Sequence, residues 1–399
     1  MRRSYGRGRR ERGVWAALLG VVWLASVVGL GAEEVEGLPR ASVEAMGMRS
    51  GVLGEMSAWV RSEGLDVRSM IILRRGQMIF EWYAGGVSRE SDHNIFSITK
   101  SVVGTLAGIA VDEERLPGVD VRLGELFGGV AGVRGDGLKA GVRVEDLLTM
   151  RSGFPCARAN RAEGPERDLF ERINGAEDRT AEVFKLEMVG EPGGAFVYGN
   201  VEPQVMMTIL ESAYGEKGFA LGDRLLFGPL GFENARWLFA DETGAAPGGY
   251  GIRLRALDLA KLGQLYLQGG EWGGEQVVSE EWVAAAVADQ TGTGYGYYWW
   301  TGMGEKKRAY AARGVRGQMI YVDPDEELVF VVTADLPLER VRAVMNTLTG
   351  EFVLRAIVGD AELESSEEET QALTVELEAA AEYVPEHRRG LPAWRLPQR

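Results

Sequence analysis

The 399-residue chain contains one cysteine and two histidines. A lone Cys156 excludes an internal disulfide and any cysteine-rich zinc or iron–sulfur centre, and His93 and His387 are too far apart in sequence to suggest a metal pair. The shortage of histidine, together with the lack of a G-x-S-x-G stretch, argues against an α/β-hydrolase with a Ser-His-Asp triad. Lysine is scarce as well, with 7 residues against 37 arginines. Where positive charge alone suffices this sequence uses arginine, so a lysine in an unusual place calls for its own explanation. No internal repeat is visible.

Charge is unevenly spread. The N-terminus reads MRRSYGRGRRERG and then VWAALLGVVWLASVVGLGA, a basic segment followed by an uncharged run ending in small residues. That is the grammar of an export signal over residues 1–32. The apolar run is nearly long enough to span a bilayer, so a cleaved signal and an uncleaved anchor both stay open. The body is expected to be periplasmic or secreted, with membrane contact only if the segment is retained. The whole chain carries −15, and its first 31 residues hold six arginines against one glutamate, leaving about −20 for the remainder. Such a body repels phosphate backbones, which excludes nucleic acid as a partner.

Gly51–Gly64 reads as a short helix, and SMIILRR and QMIFEWYA, separated at Gly76, as an antiparallel hairpin. GYGYYWW, RAYAARG, QMIYV and LVFVV supply further strands, the last two joined by the turn Asp323-Pro324-Asp325. Roughly two hundred residues of helical pattern lie between, including VEDLLTM, QVMMTILESAY and ALDLAKLGQLYLQGG. The reading is an α+β domain over 33–360. Its sheet comes from about 66–85 and 295–357, with a helical insertion between and ERVRAVMNTLTGEFVLRAIVG as a closing helix. Residues 361–399, acidic and then rich in Pro and Arg, are expected to form a loosely held tail that hydrolysis can do without.

The unusual lysine lies in FSITKSVVGTLAGIAV, residues 96–111. Apolar and small residues fall on every side of that helix, so it should be central, and Lys100 is its only ionisable side chain. An ammonium in the first turn meets the unfavourable end of the helix dipole. One reading is a packed stem whose head escapes past the helix start. The other is a base, because lysine, unlike arginine, gives up its proton near neutral pH once burial and positive potential depress its pKa. Ser97 lies three residues earlier on the same face, and a serine needs such a base to become a nucleophile.

FSITKS resembles the nucleophile motif of serine β-lactamases and penicillin-binding proteins. No S-D-N is present, but Tyr198-Gly199-Asn200 is the only Y-x-N among twelve tyrosines, and it matches the second motif of the class C branch. PGGAFVYGNVEPQVMMTILE is similar to that family's P-G-x-x-F-x-Y-S-N-x-x-Y followed by a helix, and VEDLLTMRSGF to its L-L-T-H-T-S-G loop. The resemblance covers about residues 66 to 357 and is nearest to esterases, peptidases and 6-aminohexanoate-oligomer hydrolases.

The resemblance implies a β-lactamase/penicillin-binding-protein-like fold with the site between sheet and helical insertion. It implies that Ser97 attacks a carbonyl, that Lys100 and Tyr198 share general-base and general-acid work, and that Asn200 orients substrate. No cofactor or metal is needed. The third motif, K-T-G or H-x-G in the family, is aligned with Val315-Arg316-Gly317. Gly317 would let backbone approach the substrate, the Gln318 N–H would join that of Ser97 as an oxyanion hole, and Arg316 would supply a cation if turned inward. Proximity to the Lys100 ammonium should lower the Tyr198 pKa. His93 reads as a structural neighbour and Cys156 as a packed thiol. The expected activity is hydrolysis of a small ester, amide or short peptide through an acyl-enzyme. A true β-lactamase or D-alanyl peptidase, and a non-catalytic peptide-binding or scaffold protein, are the alternatives.

Overall fold

The computed structural model describes residues 34–388 apart from Asn160 and Ala162. The expected export segment and the final Pro- and Arg-rich residues therefore lie outside the described residues.

After helix α1 (Ser50–Ser62) the chain enters the hairpin β1 (Val67–Arg74) and β2 (Gln77–Tyr83). A short strand β3 (Asp92–Asn94) leads through a tight turn into α2 (Ile98–Asp112). The helical part that follows includes α3 (Val144–Leu148) and α4 (Val201–Tyr214). The chain returns through β4 (Ile252–Arg255), which pairs antiparallel with β3, and then α5 (Ala256–Leu267). Four strands complete the main sheet: β5 (Trp300–Met303), β6 (Ala309–Gly314), β7 (Gln318–Asp323) and β8 (Leu328–Ala334). α6 (Leu338–Asn346), a π-helical turn Thr347–Leu354 and α7 (Glu367–Glu382) follow.

The six main strands run in the order β5-β6-β7-β8-β1-β2, every neighbour antiparallel. The first hairpin pairs with the last strand, so the sheet is built from both ends of the domain. Runs such as MIIL and LVFVV are continuously apolar because both faces of this sheet are covered. Ile71, Leu73, Val329, Val331, Ile320 and Val322 face one core, which includes α5 and α2. Met70, Ile72, Phe330, Val332, Met319 and Tyr321 face a second core beneath α1 and the C-terminal helices. α2 belongs wholly to the first core and is buried from Ile98 to Ala110.

Two expectations are corrected. In GYGYYWW only Trp300 enters the sheet; its tyrosines pack as irregular chain, with Tyr295, Tyr297 and Tyr298 all in the first core. The acidic stretch beyond residue 361 is not loose, because α7 lies on α1 with Leu373 and Ala380 in the second core. The Ser57 hydroxyl donates to the Glu376 carbonyl at 3.3 Å, and Tyr383 donates to the Leu65 carbonyl at 3.0 Å. Composition suggested a solvated tail, but Leu373 and Ala380 turn inward, and Gly51 and Gly54 of α1 leave room for Glu369, Leu373 and Glu376 of α7.

Candidate active site

Phe96 takes φ 47°, a left-handed conformation rare for a bulky residue. It is held there by a hydrogen bond from its N–H to Asn94 Oδ1 at 2.9 Å. The kink places Ser97 at the start of α2 with its side chain in a cleft of about 620 Å³. Ser97, Tyr198, Asn200 and Gly249 line it, along with Phe170, Phe239, Tyr250 and Trp300 as apolar walls.

Lys100 is 1% exposed. Its Nζ lies 3.1 Å from Ser97 Oγ, 2.8 Å from Asn200 Oδ1 and 2.9 Å from the Gly249 carbonyl oxygen. This triad of acceptors has a stereochemical consequence. Asn200 presents its oxygen because its amide nitrogen donates to the Ala157 carbonyl at 2.9 Å, and a carbonyl can only accept. Two N–H bonds of an amine are thereby fixed, and the third direction, toward Ser97, is free to carry a lone pair. Gly249 makes this geometry possible, since a Cβ there would stand 2.6 Å from Asn200 Oδ1 and 3.3 Å from Lys100 Nζ.

Burial pushes the Lys100 pKa down to about 7, opposed only by Glu202. No neighbouring cation is needed for the shift, because the ammonium loses its hydration with no ion pair in return. The Tyr198 phenol behaves contrary to expectation. Burial drives its pKa up to about 12, and a hydrogen bond with Ser97 and the charge of Arg158 only partly offset this. Lys100 sits over the ring face, 5.1 Å from its centroid, rather than beside the hydroxyl. Near neutral pH the pair is a lysine free to lose its proton and a tyrosine that keeps one.

The loop after α3 clamps the second motif. Cys156 Sγ–H and Arg158 Nε–H donate to the Tyr198 carbonyl at 3.3 and 3.0 Å, and the Asn200 N–H donates to the Ala157 carbonyl at 3.1 Å. Burial raises the Cys156 pKa, in keeping with a packed thiol. Trp300 flanks the Tyr198 ring at 5.4 Å between centroids.

The third motif lies two residues earlier than expected. Arg313, Gly314 and Val315 line the cleft; Arg316, Gly317 and Gln318 do not. Arg316 turns away to pair with Asp335. Gly317 has φ 98°, and its α-carbon faces Ala334, Leu336 and Met345 rather than substrate space. Gln318 opens β7 opposite Gly314, with its side chain donating to the Ala334 carbonyl at 2.6 Å. Gly314 is the close approach the site needs, because a Cβ there would meet the Ile95 carbonyl oxygen at 2.3 Å. Among the described residues no backbone carbonyl accepts from the Ser97 or Val315 N–H. Those two N–H groups, rather than that of Gln318, are the cleft's candidate oxyanion donors.

His93 is buried on β3, and desolvation pushes its pKa down to about 3. It lines a neighbouring cavity of about 350 Å³ and not the Ser97 cleft. Sequence reasoning missed the Gly249 carbonyl, the Val315 N–H, Arg313 and Glu202. Only Glu202 left a trace, as an acid opening the otherwise apolar run VEPQVMMTIL.

The sequence profile of the family described as Beta-lactamase matches residues 63–353. The 6-aminohexanoate-dimer hydrolase of Paenarthrobacter ureafaciens is 26% identical over 301 residues, covering 69% of this chain and 74% of its own. Among solved structures, EstCE1, a hydrolase with promiscuous acyltransferase activity, superposes with a TM-score of 0.63 at 16% identity, covering 78% of this chain and 99% of its own. The octameric penicillin-binding protein homologue from Pyrococcus abyssi gives a TM-score of 0.57 at 19% identity, covering 75% of this chain and 77% of its own.

Proposed function

Given that the chain belongs to the β-lactamase family and is a serine hydrolase, we propose that it cleaves an ester or amide bond of a small molecule or short peptide through an acyl-enzyme on Ser97. The observation that supports this reading most strongly is the buried Lys100 amine, fixed by Asn200 and Gly249 and aimed at Ser97. Lys100 takes the Ser97 proton as Oγ attacks the carbonyl carbon. The Ser97 and Val315 N–H groups receive the developing oxyanion. Tyr198, protonated and bonded to Ser97, passes a proton to the departing alkoxide or amine, and the tyrosinate regains one from the Lys100 ammonium by way of Ser97 Oγ, which both side chains contact. Water then reverses the sequence to release the acid.

We also infer export, from the N-terminal segment. A 6-aminohexanoate-dimer hydrolase among the relatives favours amides as substrates alongside esters. Arg313, which lines the cleft together with Arg158, takes the place expected of Arg316 as a substrate-facing cation. Mass spectrometry of the purified protein after exposure to a fluorophosphonate, a p-nitrophenyl ester and a penicillin tests the reading. An adduct on Ser97 with the first two supports it, and a stable penicilloyl adduct or rapid penicillin turnover would move the substrate class to β-lactams. No adduct with any reagent would contradict it.

A further inference from the structure

Glu202 is a buried carboxyl that the scheme above does not use. It stands in the first turn of α4, two residues after Asn200, and is 2% exposed. Ser152 donates to its Oε1 at 2.9 Å, while Oε2 is buried without a hydrogen-bond partner. No cation lies within ion-pair distance of it among the described residues. Leaving half of a buried carboxyl unpartnered is destabilising, and a glutamine could accept the Ser152 bond equally well. The position therefore spends stability on something an amide lacks, and that is charge.

We propose that Glu202 is a positioning residue of the proton relay, acting by its charge on Lys100 to set how readily that amine accepts the Ser97 proton. The inference rests on the acyl-enzyme reading. When the Ser97 O–H bond breaks and the Oγ–acyl bond forms, the proton goes to Lys100 Nζ and creates an ammonium inside the protein. An ionised Glu202 compensates that ammonium without touching it, so Lys100 stays free to meet Ser97, Asn200 and Gly249. A direct ion pair would instead hold Lys100 permanently protonated. The directions of the two shifts agree: burial raises Glu202 to about 7, its own backbone N–H, the Ser152 hydroxyl and then Lys100 draw it back down, and Glu202 in turn holds Lys100 up.

The other groups around Glu202 do not supply this charge. Tyr295 and Tyr298 are phenols that burial keeps protonated, and Cys156 is a thiol raised by burial. Arg158 is directed to the Tyr198 carbonyl. On the helices packed along α4, Glu145 and Asp146 are paired with Arg143, and Glu182 with Arg172. Arg179 donates to the Ala245 carbonyl, and Lys217 is paired with Glu211.

The test is the pH profile of kcat/KM for p-nitrophenyl ester hydrolysis by wild type, Glu202→Gln and Glu202→Asp. Glu202→Gln keeps the Ser152 bond and loses the charge. Its acidic limb should move down by about one pH unit, because Lys100 loses its proton more easily, and its plateau should fall about tenfold as the ammonium goes uncompensated. Glu202→Asp, which restores a carboxyl, should bring the limb back toward wild type. If Glu202→Gln does not fold, a limb in Glu202→Asp that moves down by a smaller amount carries the same information. An unmoved limb in the folded variants, with any loss confined to Tm, overturns the inference and leaves a structural carboxyl. If wild type itself forms no Ser97 adduct, it is the acyl-enzyme reading that fails.

Discussion

A lysine serves as a base only if its proton is easily lost and its lone pair has one place to go. Burial gives Lys100 the first property, and the acceptors Asn200 Oδ1 and Gly249 O give it the second. As pH rises through about 7 the free-amine fraction of Lys100 grows, so kcat/KM for a neutral ester should climb along an acidic limb centred near that value. Tyr198, raised to about 12, should add no alkaline fall below about pH 10. A profile flat from pH 5 to 9 would show that Lys100 does not titrate in the reaction. Tyr198→Phe keeps the ring against Trp300 and removes the hydroxyl, and should lower the acylation rate about 10²–10⁴-fold. Combined with a Lys100 substitution it should cost far less than the product of the single losses, since the two serve one relay. Ser97, Lys100, Tyr198 and Asn200 were legible because their chemistry is in side chains at motif spacing. The Gly249 carbonyl and the Val315 N–H were not, since any residue type carries those groups. The third motif was misplaced because ARGVRG offers the Arg-Gly pair twice, and only the position of the hairpin turn decides which pair faces the cleft.

Elements are legible when one periodicity governs them. The strands β1, β2, β6, β7 and β8 and the helices α2, α4 and α5 follow the apolar pattern because each is buried on a sheet face or on all sides. GYGYYWW has strand composition, but its glycines and the φ of 63° at Tyr298 send it into irregular packing. α7 was read as a loose tail because acidic residues dominate it; docking on α1 depends on a few contacts that composition averages away. Burying a leucine such as Leu373 contributes about 1.5–3 kcal/mol, and the Ser57 and Tyr383 hydrogen bonds add to it. A chain truncated after residue 364 should therefore lose roughly 5–10 °C in Tm. Ester hydrolysis measured well below that Tm should persist, because α7 packs on the sheet face opposite α2. An unchanged Tm would show that the helix adds nothing to stability.

At the scale of the molecule, the fold sets a buried relay where the sheet edge meets the helical insertion. β6 and the turn after it bring Gly314 and Val315, α2 and its N-cap bring Lys100 and Ser97, and the loop before α4 brings Tyr198 and Asn200. The whole carries a charge of −15. Cationic esters should therefore be captured faster than anionic ones at low ionic strength, with the difference in kcat/KM shrinking as salt is added. A preference for anions that is insensitive to salt would mean that Arg313 and Arg158 outweigh the molecular field. The most direct test of the central claim is the acylation rate of Lys100→Arg, measured on protein shown by circular dichroism and thermal melting to be folded. Arginine keeps the positive charge and most of the apolar stem but does not release its proton near neutral pH. A loss of about 10²–10⁴-fold or more is expected; turnover near wild type would contradict a proton-accepting role for Lys100.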